Sequence, residues 1–175
     1  MVAINHDKSL SVDEIRDLFV VNPDTGEIHW RKRGMGRHRN KPAGCLVGPG
    51  YRKIGLRIEG KYIQFYAHRL MWALMHGEWP DFILDHINGN KDDNRILNLR
   101  PSTYSENRVN SGVFSTNKCK NKWVSKRKSR SGWQGAVWFG SVRKNKYFPA
   151  KEAAYEWASA TAKQLHGEFY NPGRG

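Results

Sequence analysis

The sequence predicts an α+β protein built from two small modules, and three observations carry that reading. Short segments of alternating apolar and polar residues, the period of a half-buried strand, are interleaved with segments whose apolar residues recur every three to four positions, the period of an amphipathic helix. No apolar run approaches the 18 residues of a membrane span, and an apolar fraction of 38% over 175 residues permits modest cores only. Charge is uneven: residues 1–110 hold 17 basic and 13 acidic side chains (+4), whereas residues 111–175 hold 13 and 3 (+10). Between Ser111 and Phe148 there are ten Lys or Arg and no acid, so a boundary is expected near 111.

In chain order, Ser11-Val-Asp-Glu14 is a capping box for a short helix with Ile15, Leu18 and Phe19 on one face, ended by Asn22-Pro-Asp-Thr-Gly26. GEIHWRK (26–32), YRKIGLRI (51–58) and KYIQFYA (61–67) follow as strands, the last two joined by a Glu59-Gly60 hairpin, which makes a small N-terminal antiparallel sheet over 1–66. HRLMWALMH (68–76) is a helix stopped by Gly77 and Pro80. Then come a short apolar strand (FIL, 82–84), a polar loop, a second apolar strand (ILNL, 96–99) and a helix beginning near Ser102 or Thr103. VNSGVFSTNKCKNK has linker composition, and 111–122 is assigned as the linker. The second module, 123–170, contains a hairpin of Trp133–Phe139 and Val142–Phe148 about Gly140-Ser141, then the helix KEAAYEWASATAKQLH ended by Gly167. The expected sheet-facing residues of that helix are Ala153, Ala154, Trp157, Ala160 and Leu165.

A net charge of +14 and a pI near 10 point to a polyanionic partner, nucleic acid above all, with anionic membranes as the competitor. Cys45 and Cys119 are far apart and form no Cys-x-x-Cys, so neither a disulfide framework nor structural zinc is expected. The N-terminus MVAINHDKSLSVDE lacks the basic-then-apolar order of a secretory signal, and an intracellular protein is expected.

The most specific segment is DHINGNKDDNRILNLR (85–100), with the SEN of 105–107 after it. Strand, Asp-His, Asn-rich loop, strand and an Asn-bearing helix together resemble the ββα-metal core of HNH endonucleases, in their phage and intron-encoded, homing-type branch. AHRLMW (67–72), GEWP (77–80) and NPDTGEIHW (22–30) extend the likeness, and 67–110 is assigned as the nuclease core. The resemblance implies His86 as general base, Asp85 and Asn107 as metal ligands, and Asn98 as the residue whose side-chain oxygen accepts from the imidazole. Hard oxygen ligands suit a hydrated divalent ion, Mg2+ with Mn2+ as its substitute, better than zinc. The family's third letter is often His, and here it is Asn107. Asn88, Asn90 and Asn94 are assigned as loop formers; His68, at a helix start, either touches DNA phosphate or serves the fold, and the structural role is favoured. If the chain is phage-encoded, its place is the host-cell cytoplasm.

Residues 123–170 resemble the APETALA2/ethylene-response-factor DNA-binding domain, a three-stranded sheet with a helix behind it. That likeness implies contacts to double-stranded DNA from Lys126, Arg127, Lys128, Arg130, Trp133, Trp138, Arg143, Lys144 and Lys146. The basic loop RKRGMGRHR adds Arg31, Lys32, Arg33, Arg37 and Arg39. Two departures stand out: Trp123 replaces the glycine that usually precedes the first-strand valine, and Ser125 occupies a position where plant members carry a base-reading Arg. The expected function is a metal-dependent DNA endonuclease, with a monomer favoured. The alternative is a DNA-binding regulator with a vestigial nuclease site.

Overall fold

The computed structural model describes residues 10–34, 37–48, 50–58, 60–113, 117–127 and 131–173. The chain divides into two compact units between Ser102 and Thr103.

In the first unit, Ser11 caps α1 (Val12–Leu18) with the reciprocal capping box intact, Glu14 reaching back to the Ser11 N–H. Phe19 leaves the helix and opens strand β1 (Phe19–Asn22), which pairs with β2 (Glu27–Trp30). Sequence periodicity placed Phe19 on the helix because its ring is buried in the same core. That core also accepts it from a strand, where the ring lies 4.5 Å from that of Trp30. Strands β3 (Cys45–Val47), β4 (Tyr51–Ile58) and β5 (Lys61–Tyr66) form an antiparallel sheet in the order 3-4-5. The β3 strand was not foreseen, and Glu59 of the expected hairpin turn lies outside the described residues. Helix α2 (Ala67–His76) buries Leu70, Met71 and Ala73 in this core and stops at Gly77, whose φ of 83° is the left-handed cap that glycine adopts freely.

Two anchors set the entry to the motif. The Arg69 guanidinium donates to the carbonyls of Pro80 and Phe82, and the Trp79 indole N–H donates to the Leu10 carbonyl. Strand β6 (Ile83–His86) then pairs with β7 (Leu99–Ser102). Most of the expected ILNL strand is instead a 3-10 turn, Ile96–Asn98. Its first N–H donates to the Pro23 carbonyl, which fastens the turn to the β1–β2 hairpin.

The second unit begins with α3 (Tyr104–Asn110), capped by Thr103 and Glu106 in a second capping box. Strands β8 (Val124–Lys126), β9 (Trp133–Phe139) and β10 (Val142–Phe148) form an antiparallel sheet with β9 central, and α4 (Lys151–His166) packs on it. The buried stripe of α4 is Ala154, Ala158 and Ala162, an i, i+4, i+8 row, whereas Ala160 is exposed. Small residues on that row let the helix come so close that a Cβ at Gly135 would stand 2.9 Å from the Ala154 carbonyl oxygen.

Part of the expected linker is built into this unit; residues 114–116 lie outside the described set. The Lys122 ammonium donates to the carbonyls of Val109, Ser111 and Asn171, and burial pushes its pKa down to about 8. The Asn171 amide donates to the Asn110 carbonyl at 2.6 Å, so the chain's last residues grip the end of α3.

Trp123 has φ of 60°, the left-handed conformation that a glycine would take at no steric cost. Its ring stacks on Tyr170, with centroids 5.6 Å apart, and the Lys122 ammonium lies over it, contacts that offset the backbone strain. Trp123→Ala loses the stacking and keeps the strain, whereas Trp123→Gly loses only the stacking. Thermal or urea unfolding should therefore find the Gly variant more stable than the Ala variant by about 1 kcal/mol.

Candidate active site

The Asn-rich loop between β6 and β7 is held by its own amides. Asn88 accepts from the Asn90 N–H and from the Asn98 amide and donates to Asp93, while Asn90 accepts from the Asp92 N–H. Asn98 accepts from the Asn88 N–H at 3.1 Å and donates to the Asp93 carbonyl at 2.8 Å. Arg52 on β4 forks onto Asp92 at 2.8 and 3.1 Å, and Arg95 does the same to Asp93. Three asparagines and two ion pairs thus turn a polar stretch into a fixed loop.

This network brings a further asparagine to the imidazole. His86 is met at Nε2 by Asn94, whose Oδ1 is 3.3 Å away, while the Asn98 oxygen accepts from the Asn88 N–H. The Asn94 amide N–H donates to the Asp92 carbonyl at 3.1 Å, so the amide oxygen must face the ring. Nε2 therefore carries the proton and Nδ1 the lone pair. Asn94 is 2% exposed, a degree of burial that a loop former does not need. Its signal in the sequence was its fixed place in the motif, hidden among three other asparagines.

Alternation along β6 sends Asp85 and His86 to opposite faces. Asp85 stands opposite Arg100 in the ladder, and Nε and Nη2 of Arg100 donate to its Oδ2 at 3.0 and 2.8 Å in a buried pair. His86, 4% exposed, lies against Tyr51 and His68, with centroids at 6.0 and 5.1 Å. Burial lowers the His86 pKa, while the Asn94 hydrogen bond and Asp85 act in the opposite sense. The imidazole is thus neutral near pH 7 and able to accept a proton. Asn94→Asp places a carboxylate at Nε2, which favours the imidazolium, so the acid limb of any pH–rate profile should move to higher pH in that variant. A profile unchanged in position would mean that His86 does not set it.

Asp85 is the buried carboxylate of the segment, and its hard oxygens suit a hydrated Mg2+-type ion that needs few protein ligands. Among the described residues no three His, Cys, Asp or Glu side chains come together, so no zinc-like cage is formed. Asn107 lies on α3 in the second unit, flanked by its capping box and the Lys122 grip.

The basic residues separate into several groups. Arg31 is committed to the fold, its guanidinium donating to the carbonyls of Arg16 and Phe19, and Arg37 lies over the Trp30 ring at 4.7 Å. Lys32, Arg33 and Arg39 are exposed. In the second unit, register places Arg143 opposite Trp138 on one face of the sheet, whereas Lys144 and Lys146 stand opposite Val137 and Gly135, on the face that α4 covers. The basic residues expected to contact DNA are therefore divided between two faces. Trp133 packs against the unit's core, while Trp138 is 57% exposed with Arg143 over its ring. Lys126 and Arg127 are exposed; Lys128 and Arg130 lie outside the described residues.

Comparison with known proteins gives the family. A family model described as HNH endonuclease matches residues 65–109, which span the end of β5 to the last turn of α3. Protein 3.8 of Escherichia phage T7 is 30% identical over 115 residues, covering 62% of this chain and 93% of that protein. The chain belongs to the HNH endonuclease family. DNA endonuclease I-HmuI of Bacillus phage SP01 is 33% identical over 99 residues, 54% of each chain. An uncharacterized HNH endonuclease of Acanthamoeba polyphaga mimivirus is 33% identical over 124 residues, 70% of this chain and 64% of that one. The segment of this HNH endonuclease that matches I-HmuI in sequence covers little more than half of that protein. A structure titled for DNA binding and cleavage by the HNH homing endonuclease I-HmuI aligns over 91% of the chain at 23% identity, with a TM-score of 0.44. No helix among the described residues is long and apolar enough to cross a membrane.

Proposed function

We propose that this HNH endonuclease hydrolyses duplex DNA with His86 as general base, assisted by a divalent ion. The observation that supports the reading is the chain from the Asp92 carbonyl through the Asn94 amide to His86 Nε2, which favours the tautomer protonated at Nε2. The His86 imidazole takes a proton from water, the oxygen of that water bonds to phosphorus, and the bond from phosphorus to the 3′ oxygen breaks. Asp85 and, on the family pattern, Asn107 are the proposed oxygen ligands of the ion, Mg2+ with Mn2+ as substitute. Such an ion supplies charge neutralisation at the phosphate and the departing 3′ oxygen. Asn98 serves the site by holding the loop shut.

The second unit is proposed to anchor the DNA as an APETALA2-like module. The fold of sheet plus helix, the excess of positive charge and the exposed Trp138–Arg143 pair support this. A role inside a phage-infected cell, homing or otherwise, fits the phage relatives. Incubating supercoiled plasmid with the protein in Mg2+, in Mn2+ and in EDTA tests the reading. Nicked or linear product with either ion and none in EDTA is expected, and cutting at equal rate in EDTA would exclude the ion.

A further inference from the structure

We infer that His68 is a second imidazole of the reaction, donating a hydrogen bond from Nε2 to the scissile phosphate beside His86. The inference rests on the nuclease reading above and adds a substrate contact to it. His68 is the second residue of α2 and is 7% exposed, close to the 4% of His86 itself. Rings hold it on several sides: Tyr51 at 5.4 Å, Tyr66 at 5.5 Å and His86, edge to face, at 5.1 Å between centroids. Its Nδ1 is one of three buried side-chain polar atoms that lack a hydrogen-bond partner among the described residues.

Packing alone does not account for an imidazole here. A site that touches the side chain with aromatic rings and leaves its buried nitrogen unpaired would be filled better by phenylalanine, because an unsatisfied polar atom destabilises by about 1–3 kcal/mol. The polar ring is explained if its other nitrogen has a partner in the complex. A buried N–H without an acceptor is rarer than an unsatisfied acceptor, so Nδ1 carries the lone pair and Nε2 the proton. Burial first, and then the neighbouring His86 and Arg69, push the pKa down to about 3, so the group donates as a neutral N–H and leaves proton abstraction to His86. The Lys91 ammonium, 4.9 Å above the Tyr51 ring, adds positive charge on the same side. A donor aimed at the phosphate strengthens its bond as charge builds on the non-bridging oxygens in the transition state.

Two variants of the full-length protein separate this from a structural role. Gln at position 68 keeps an N–H at about the reach of Nε2 but buries an amide, whereas Phe keeps the ring and removes the donor. Stability by thermal unfolding should run Phe above Gln. Single-turnover plasmid cleavage at saturating protein should run the other way, with His68→Phe slowed about 100-fold, His68→Gln slowed less, and DNA affinity alike in all three. A His68→Phe variant that cuts at the wild-type rate, or a Gln variant slower than Phe, overturns the assignment, since activity would then follow packing. If the wild-type protein leaves plasmid intact in both Mg2+ and Mn2+, the nuclease reading itself fails, which is a different result.

Discussion

His86→Ala is expected to slow plasmid cleavage by on the order of 100-fold or more while DNA affinity stays within a few-fold of wild type. The loss follows from removing the proton acceptor, and the affinity is kept because the basic surfaces of both units are untouched. The wild-type pH profile gives the companion result. Burial lowers the His86 pKa below its ordinary value, so the neutral base is lost only when pH falls through that lowered value, and the acid limb of cleavage should lie below about pH 6.5. In His86→Ala that limb should vanish along with the rate. Turnover at the wild-type rate in this variant would remove His86 from the mechanism, and Asn94 with it.

Dividing the chain should divide affinity from chemistry. The boundary between Ser102 and Thr103 leaves 16 basic and 12 acidic residues in 1–102 (+4) and 14 and 4 in 103–175 (+10). Residues 103–175 contain their own core, the alanine stripe of α4 under β9, and the Lys122 and Asn171 contacts that hold α3. Expressed alone, this fragment should fold and bind duplex DNA with a steep salt dependence. If about six phosphates are neutralised, log K should fall against log salt with a slope of roughly −5. Fragment 1–102 should bind far more weakly under the same conditions. Titrations of both fragments and the whole chain across a salt series decide the point: a 1–102 fragment that binds as tightly as the full chain would mean that the second unit is not the anchor.

Much of the fold was legible because local signals agree with the tertiary structure. The hairpin of Trp133–Phe139 and Val142–Phe148 and the helix Lys151–His166 occur within the bounds that turn residues and periodicity gave. The capping box expected at Ser11 forms, since its hydrogen bonds join residues three apart and need nothing from the rest of the chain. Phe19 and Ala160 were misplaced for one reason: apolar spacing says that a residue is compatible with burial, and only packing says from which element and toward which neighbour.

The sequence by itself determined the family, through a long motif of fixed spacing, along with the α+β class and the concentration of positive charge in the C-terminal part. Tertiary structure brought Asn94 to the imidazole. Four asparagines within eleven residues offer the same amide, and loop closure sets the Asn94 Oδ1 3.3 Å from His86 Nε2 while Asn98 bonds Asn88 and Asp93. It also decided that Arg31 and Trp133 belong to the fold, because a cation or an indole is committed when carbonyls or a core lie within reach, and those come from distant parts of the chain. The surroundings of His68 were equally hidden, because the rings around it come from β4, β5 and β6, which the backbone brings together only in three dimensions.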